Sequence, residues 1–118
     1  MRQPTIYHNP RCSKSRATLE LLTARGFAPR IVNYLETPLS PAELEKLLSL
    51  LGLEPRDVLR REEDEYSDLG LADPKLTRRE LIAAIAKHPR LLQRPIVVVG
   101  DKAAIGRPPE AVLAILPD

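Results

Sequence analysis

Two short strand-like runs separated by one helical stretch restrict the fold of this chain more than any other feature. Thr5 to His8 reads as a first strand, and Arg30 to Tyr34 as a second, with β-branched Ile31 and Val32 inside it. Between them Ser13 or a neighbour opens a helix. Its Ala17, Leu21, Leu22 and Ala24 form an apolar stripe, and Gly26 stops it. A strand, a helix and a strand in this order form a βαβ unit, which predicts parallel pairing.

The middle of the chain reads as helices. Ser40-Pro41-Ala42-Glu43 is a capping box with proline at the first helical position. Leu44, Leu47, Leu48 and Leu51 follow at helical spacing, a stripe expected to face a core, and Gly52 ends the run. Pro55 to Arg61 and Tyr66 to Ala72 are expected as short helices. The acidic run Glu62 to Glu65 between them reads as a solvated helix start. Thr77-Arg78-Arg79-Glu80 is a second capping box ahead of Leu81, Ile82 and Ile85, with His88 at the helix end. Pro95 to Val99 is the most strand-like run, Gly100-Asp101 a turn, and Lys102 to Ile105 its hairpin partner. A last helix is expected from Arg107-Pro108-Pro109-Glu110 onward, with Val112, Ile115 and Leu116 apolar. The sequence of elements, β-α-β, helices, β-β-α, fits an α/β fold. Few folds fit that order better than a thioredoxin-like mixed sheet of four strands with a helical insertion.

Cys12, the only cysteine, sits at the first strand-to-helix turn. Free N–H groups and the positive end of the helix dipole favour the thiolate there. An ordinary thiol, with a pKa of about 8.5, is a few per cent ionised at neutral pH. Lowering that value by two pH units corresponds to roughly 2.7 kcal/mol. Arg11, Lys14, Arg16 and His8 are placed to contribute. The same geometry cradles oxyanions. A lone cysteine is by default a small buried hydrophobe. The polar and cationic neighbours of Cys12 argue for chemistry instead.

Composition removes several classes of function. One cysteine cannot form an internal disulfide, which fits a reducing, cytoplasmic setting. The two histidines, His8 and His88, are far apart, so a metal site of usual spacing is not expected. The start of the chain has no apolar signal region, and no run approaches membrane-spanning length. A net charge of +2 and 3% aromatic residues give no ground for nucleic-acid binding. With no surplus apolar stripe, a monomer is expected. Twelve prolines predict short, sharply ended elements.

Three arginines stand at turns. Arg60 ends a short helix, Arg94 precedes Pro95, and Arg107 lies between Gly106 and Pro108. Guanidinium forks bind tetrahedral oxyanions bidentately. Spacing alone does not bring the three to Cys12.

The run His8-Asn9-Pro10-Arg11-Cys12-Ser13-Lys14-Ser15-Arg16 resembles the active-site signature of glutaredoxin-coupled, ArsC-like arsenate reductases. So do Tyr34-Leu35-Glu36-Thr37-Pro38, Leu69-Gly70-Leu71-Ala72, Arg94-Pro95-Ile96-Val97 and Ile105-Gly106-Arg107-Pro108. The likeness runs in order from Ile6 to about Leu116. The chain ends at Asp118, like the short, compact subgroup. The resemblance implies one thioredoxin-like domain over residues 1–118, with its helical insertion at about 40–90. It implies Cys12 as nucleophile, Arg60, Arg94, Arg107 and Ser15 as oxyanion ligands, and His8 with Arg16 as stabilisers of the thiolate. It further implies arsenate as substrate, glutathione as co-substrate, glutaredoxin as partner and no bound cofactor. Two other readings are a glutathione-dependent thiol oxidoreductase acting on another substrate, and a non-catalytic regulatory module. Redox regulators of this fold use a Cys-x-x-Cys switch. Here Ser15 stands at the second position, which argues against a disulfide switch.

Overall fold

Parallel pairing of the first two strands is present in the computed structural model, which describes residues 3–117. β1 (Thr5–His8) runs beside β2 (Arg30–Asn33), with Thr5 opposite Arg30 and His8 opposite Asn33. β3 (Ile96–Val99) pairs antiparallel with the other edge of β1, and β4 (Lys102–Ile105) completes the hairpin. The sheet order β2-β1-β3-β4 is that of the thioredoxin-like mixed sheet. β1 is held on both edges, so the turn at its C-terminal end starts from a fixed point.

The residues group into two compact units. One comprises the chain up to Thr37 together with the segment from Arg94 onward; the other is residues 38–93.

The first unit holds the sheet, α1 (Ser13–Ala24) and a C-terminal 3-10 segment, Pro109–Ile115. Its core is Ile6, Leu22, Val97, Val99 and Val112, with Leu19, Phe27, Ile115 and Leu116 packed against it. Each fully buried aliphatic side chain contributes about 1.5–3 kcal/mol. The buried residues of α1 are Ser15, Thr18 and Leu22, whereas Ala17 and Ala24 are exposed. The apolar stripe read from the sequence is therefore rotated. Two small hydroxyl residues are tolerated inside because their oxygens find partners: Thr18 Oγ1 donates to the Lys14 carbonyl at 2.8 Å, and Ser15 is bonded within the loop described below. The last element is also not the α-helix expected. At three residues per turn, Pro109, Val112 and Ile115 line up along one side, which suits a segment lying on the core.

The second unit packs α2 (Pro41–Leu51) against α4 (Arg78–Lys87). Leu44, Leu47 and Leu48 of α2 and Leu81, Ile82 and Ile85 of α4 are buried. Both predicted capping boxes form, Ser40 with Glu43 and Thr77 with Glu80, and Gly52 ends α2 in the left-handed region at φ 68°. The expected helix at Pro55 is a 3-10 turn that stops at Val58, because the following residues are extended. Leu59 bridges Leu92, the Arg60 N–H donates to Leu91, and the Gln93 N–H donates to Val58. α3 (Asp64–Asp68) starts two residues before Tyr66, with acidic side chains at its positive end.

Candidate functional site

The turn after β1 is tied by one residue. The Asn9 carbonyl accepts the Cys12 N–H at 3.0 Å, and its side-chain Oδ1 accepts the Arg11 N–H at 3.0 Å. An asparagine side chain bonded two residues onward is a local turn device. Cys12 then takes the N-cap position of α1, extended at φ −93° and ψ 123°, and its carbonyl accepts the first helical bond from Arg16 at 3.0 Å. A serine or aspartate at an N-cap usually accepts a bond from the helix N–H groups. Here the half-buried sulfur occupies that place.

Five influences act on the thiol. Burial raises its pKa. The backbone N–H groups of Ser15 and Lys14, and the Arg94 guanidinium by hydrogen bond and by charge, lower it. Together these donors outweigh burial, and the Cys12 pKa lies below its ordinary value. Arg107 Nη1 stands 3.9 Å from Sγ and donates to the Arg94 carbonyl at 3.3 Å. One guanidinium thus spans the sulfur and the backbone of the other arginine. A thiolate facing helix N–H groups and two guanidinium groups can attack the central atom of a tetrahedral oxyanion while the anion's charge is balanced.

His8 and Ser15 lie beneath this turn. His8 Nδ1 and Ser15 Oγ share a hydrogen bond of 2.6 Å, and the Asn9 N–H donates to the same oxygen at 3.0 Å. Ser15 is completely buried. Its hydroxyl serves the turn, and its backbone N–H serves the thiolate. Burial, and then the charge of Arg16, hold the His8 pKa below its usual value. A neutral imidazole therefore supports the loop through Ser15 rather than through charge. Arg16 is exposed, and its Nη1 donates to the Pro10 carbonyl at 2.8 Å, bracing the turn from outside.

Arg60 belongs to the other unit, where acidic side chains and Gln93 hold it. Its side chain, 11% exposed, bonds Glu63 at 3.1 Å, Glu62 at 3.1 Å and Gln93 at 2.8 Å. Glu63 is equally buried and also holds Arg90 at 3.0 Å. The acidic run was expected to be solvated; at Glu63 it is instead the anchor for two arginines. The reason is that Leu59 and Leu92, bridged in this unit, bring residues 60 and 90–93 within reach.

Sequence reading missed Asn9 and the backbone role of Lys14. Asparagine two residues before a donor is a turn signal that could have exposed the first. Among the described residues no group of three His, Cys, Asp or Glu side chains is placed to hold a metal ion. None of the described helices is long and apolar enough to cross a membrane.

The chain is similar to known proteins over nearly its whole length. The sequence model of the ArsC family matches residues 7–115. An arsenate reductase of Neisseria meningitidis serogroup A is 51% identical, over 94% of this chain and 96% of its own. The uncharacterized protein YfgD of Escherichia coli K12 is 53% identical over 98% of both. The solved structure of an arsenate reductase from Vibrio cholerae superposes with a TM-score of 0.95, at 51% identity and 98% coverage of each chain.

Proposed function

This chain belongs to the ArsC family, and from that membership we propose that it reduces arsenate to arsenite with electrons from glutathione. The observation that carries the reading is a single thiol with a lowered pKa, capping α1 and faced by Arg94 and Arg107. The Cys12 thiolate attacks the pentavalent arsenic. A sulfur–arsenic bond forms and hydroxide leaves as water after taking a proton. Arg94 and Arg107 balance the negative charge of the adduct. Arg60 is assigned as the third oxyanion ligand by resemblance.

A glutathione thiolate then attacks the Cys12 sulfur. The sulfur–sulfur bond forms, the sulfur–arsenic bond breaks, and its electron pair remains on arsenic, which departs as arsenite. The resulting mixed disulfide is resolved by the thiolate of a glutaredoxin, which takes up the glutathionyl group and releases Cys12. External sulfurs supply the second thiol, so one cysteine in the chain is enough.

The test is arsenate-dependent NADPH oxidation in the presence of glutathione, glutaredoxin and glutathione reductase, with Cys12→Ser as control. Oxidation that requires arsenate, glutathione and Cys12 together supports the reading. A folded native protein no faster than Cys12→Ser sinks it, and directs attention to other glutathionylated substrates.

A further inference from the structure

We propose that Gly106 is a positioning residue: its missing side chain lets the turn carrying Arg107 close on α1, and so brings Arg107 and Arg94 onto the Cys12 thiolate. This rests on the reading that those two arginines act at Cys12.

The contact is tight. A Cβ at Gly106 would lie 2.5 Å from Thr18 Oγ1, 2.8 Å from Pro95 Cγ and 3.2 Å from Thr18 Cγ2. Ordinary contact needs about 3.5 Å, so a methyl group here forces a displacement of about 1 Å. Thr18 gives little way. It is completely buried, and its hydroxyl is bonded to the Lys14 carbonyl. Its two γ atoms are both among the nearest neighbours, so turning the side chain exchanges one clash for another.

Conformation does not explain the glycine. Gly26, Gly52, Gly70 and Gly100 have positive φ, and Gly106 does not. The position requires space alone.

Each group that touches Gly106 leads to the thiolate. Pro95, whose carbonyl accepts the Gly106 N–H at 2.9 Å, directly follows Arg94. Thr18 is bonded to Lys14, whose N–H lowers the Cys12 pKa. Arg107 is the next residue, and its Nη1 joins Sγ to the Arg94 carbonyl. A side chain at position 106 pushes on all three.

The experiment measures the rate of Cys12 alkylation by iodoacetamide against pH, with circular dichroism to verify folding. It needs no arsenate, so it can succeed or fail independently of the reductase reading. In Gly106→Ala the midpoint is expected to rise by about one pH unit, a roughly tenfold fall in the thiolate-to-thiol ratio at a given pH. Adding Thr18→Ala removes two of the three close atoms. Measured against Thr18→Ala alone, the double variant should show a smaller rise, because the Pro95 contact remains. This pair also decides the case where Gly106→Ala alone does not fold. A folded Gly106→Ala with the native midpoint overturns the proposal. So does a double variant that rises as far above Thr18→Ala as Gly106→Ala rises above the native protein, since relieving the clash would then change nothing. Where Gly106→Ala alone does not fold, a double variant that matches Thr18→Ala, or that also fails to fold, overturns it, since the glycine would then serve the fold rather than the arginines.

Discussion

Replacing Arg94 by alanine should raise the alkylation midpoint of Cys12 about twice as far as replacing Arg107. Arg94 acts on the sulfur through a hydrogen bond as well as charge. A bond to a charged group is worth about 1.5–3 kcal/mol, and the half-exposed sulfur loses about half of that to solvent screening. About 1.1 kcal/mol remains, equal to about 0.8 pH unit. Arg107 is exposed, and its Nη1 lies 3.9 Å from Sγ, at the outer limit of a sulfur hydrogen bond. Coulomb's law in water-like surroundings gives about 1 kcal/mol at that separation. Physiological salt reduces it to about 0.6 kcal/mol, or about half a pH unit. The assay is iodoacetamide alkylation followed from about pH 4 to 10, at low and at physiological salt. The Arg107→Ala shift should shrink with salt more than the Arg94→Ala shift. Equal shifts, or a larger one for Arg107→Ala, would refute the assignment of Arg94 as the principal guanidinium on the thiolate.

Ser15→Ala should cost about 1–3 kcal/mol in urea denaturation, because it strands the buried Asn9 N–H and His8 Nδ1. Its backbone N–H is retained, so the Cys12 midpoint should move less than in Arg94→Ala; the reverse order would show that the hydroxyl itself acts on the sulfur. The lowered His8 pKa means that the folded chain takes up this proton less readily than the unfolded chain. Stability from His8 is therefore complete above about pH 6.5, and is lost as pH falls through the lower native value. Melting temperature should decline over that acid range in the native protein and less in His8→Gln, and parallel curves would contradict it.

The local order of this chain follows from local chemistry. The capping boxes at Ser40 and Thr77, the stop at Gly52 and the hairpin turn at Gly100 each depend on residues within a few positions, so their sequence signatures suffice. Parallel pairing of β1 with β2 follows from the helix between them. Cys12 was legible for the same reason, since a strand-to-helix turn by itself supplies the N–H groups that favour a thiolate.

Tertiary structure decided which partners those residues take. Residues 12, 94 and 107 are distant in the chain, and their approach depends on β3 pairing with β1 and β4 with β3. It depends also on the bare Cα of Gly106 beside Thr18. Ser15 and Thr18 lie outside the apolar stripe read from the sequence, yet both are buried, because each hydroxyl is bonded. Glu63 looked solvated until a long-range bridge brought Arg90 and Gln93 to Arg60. Periodicity and propensity sense neighbours along the chain; hydrogen-bond satisfaction and close approach are properties of neighbours in space.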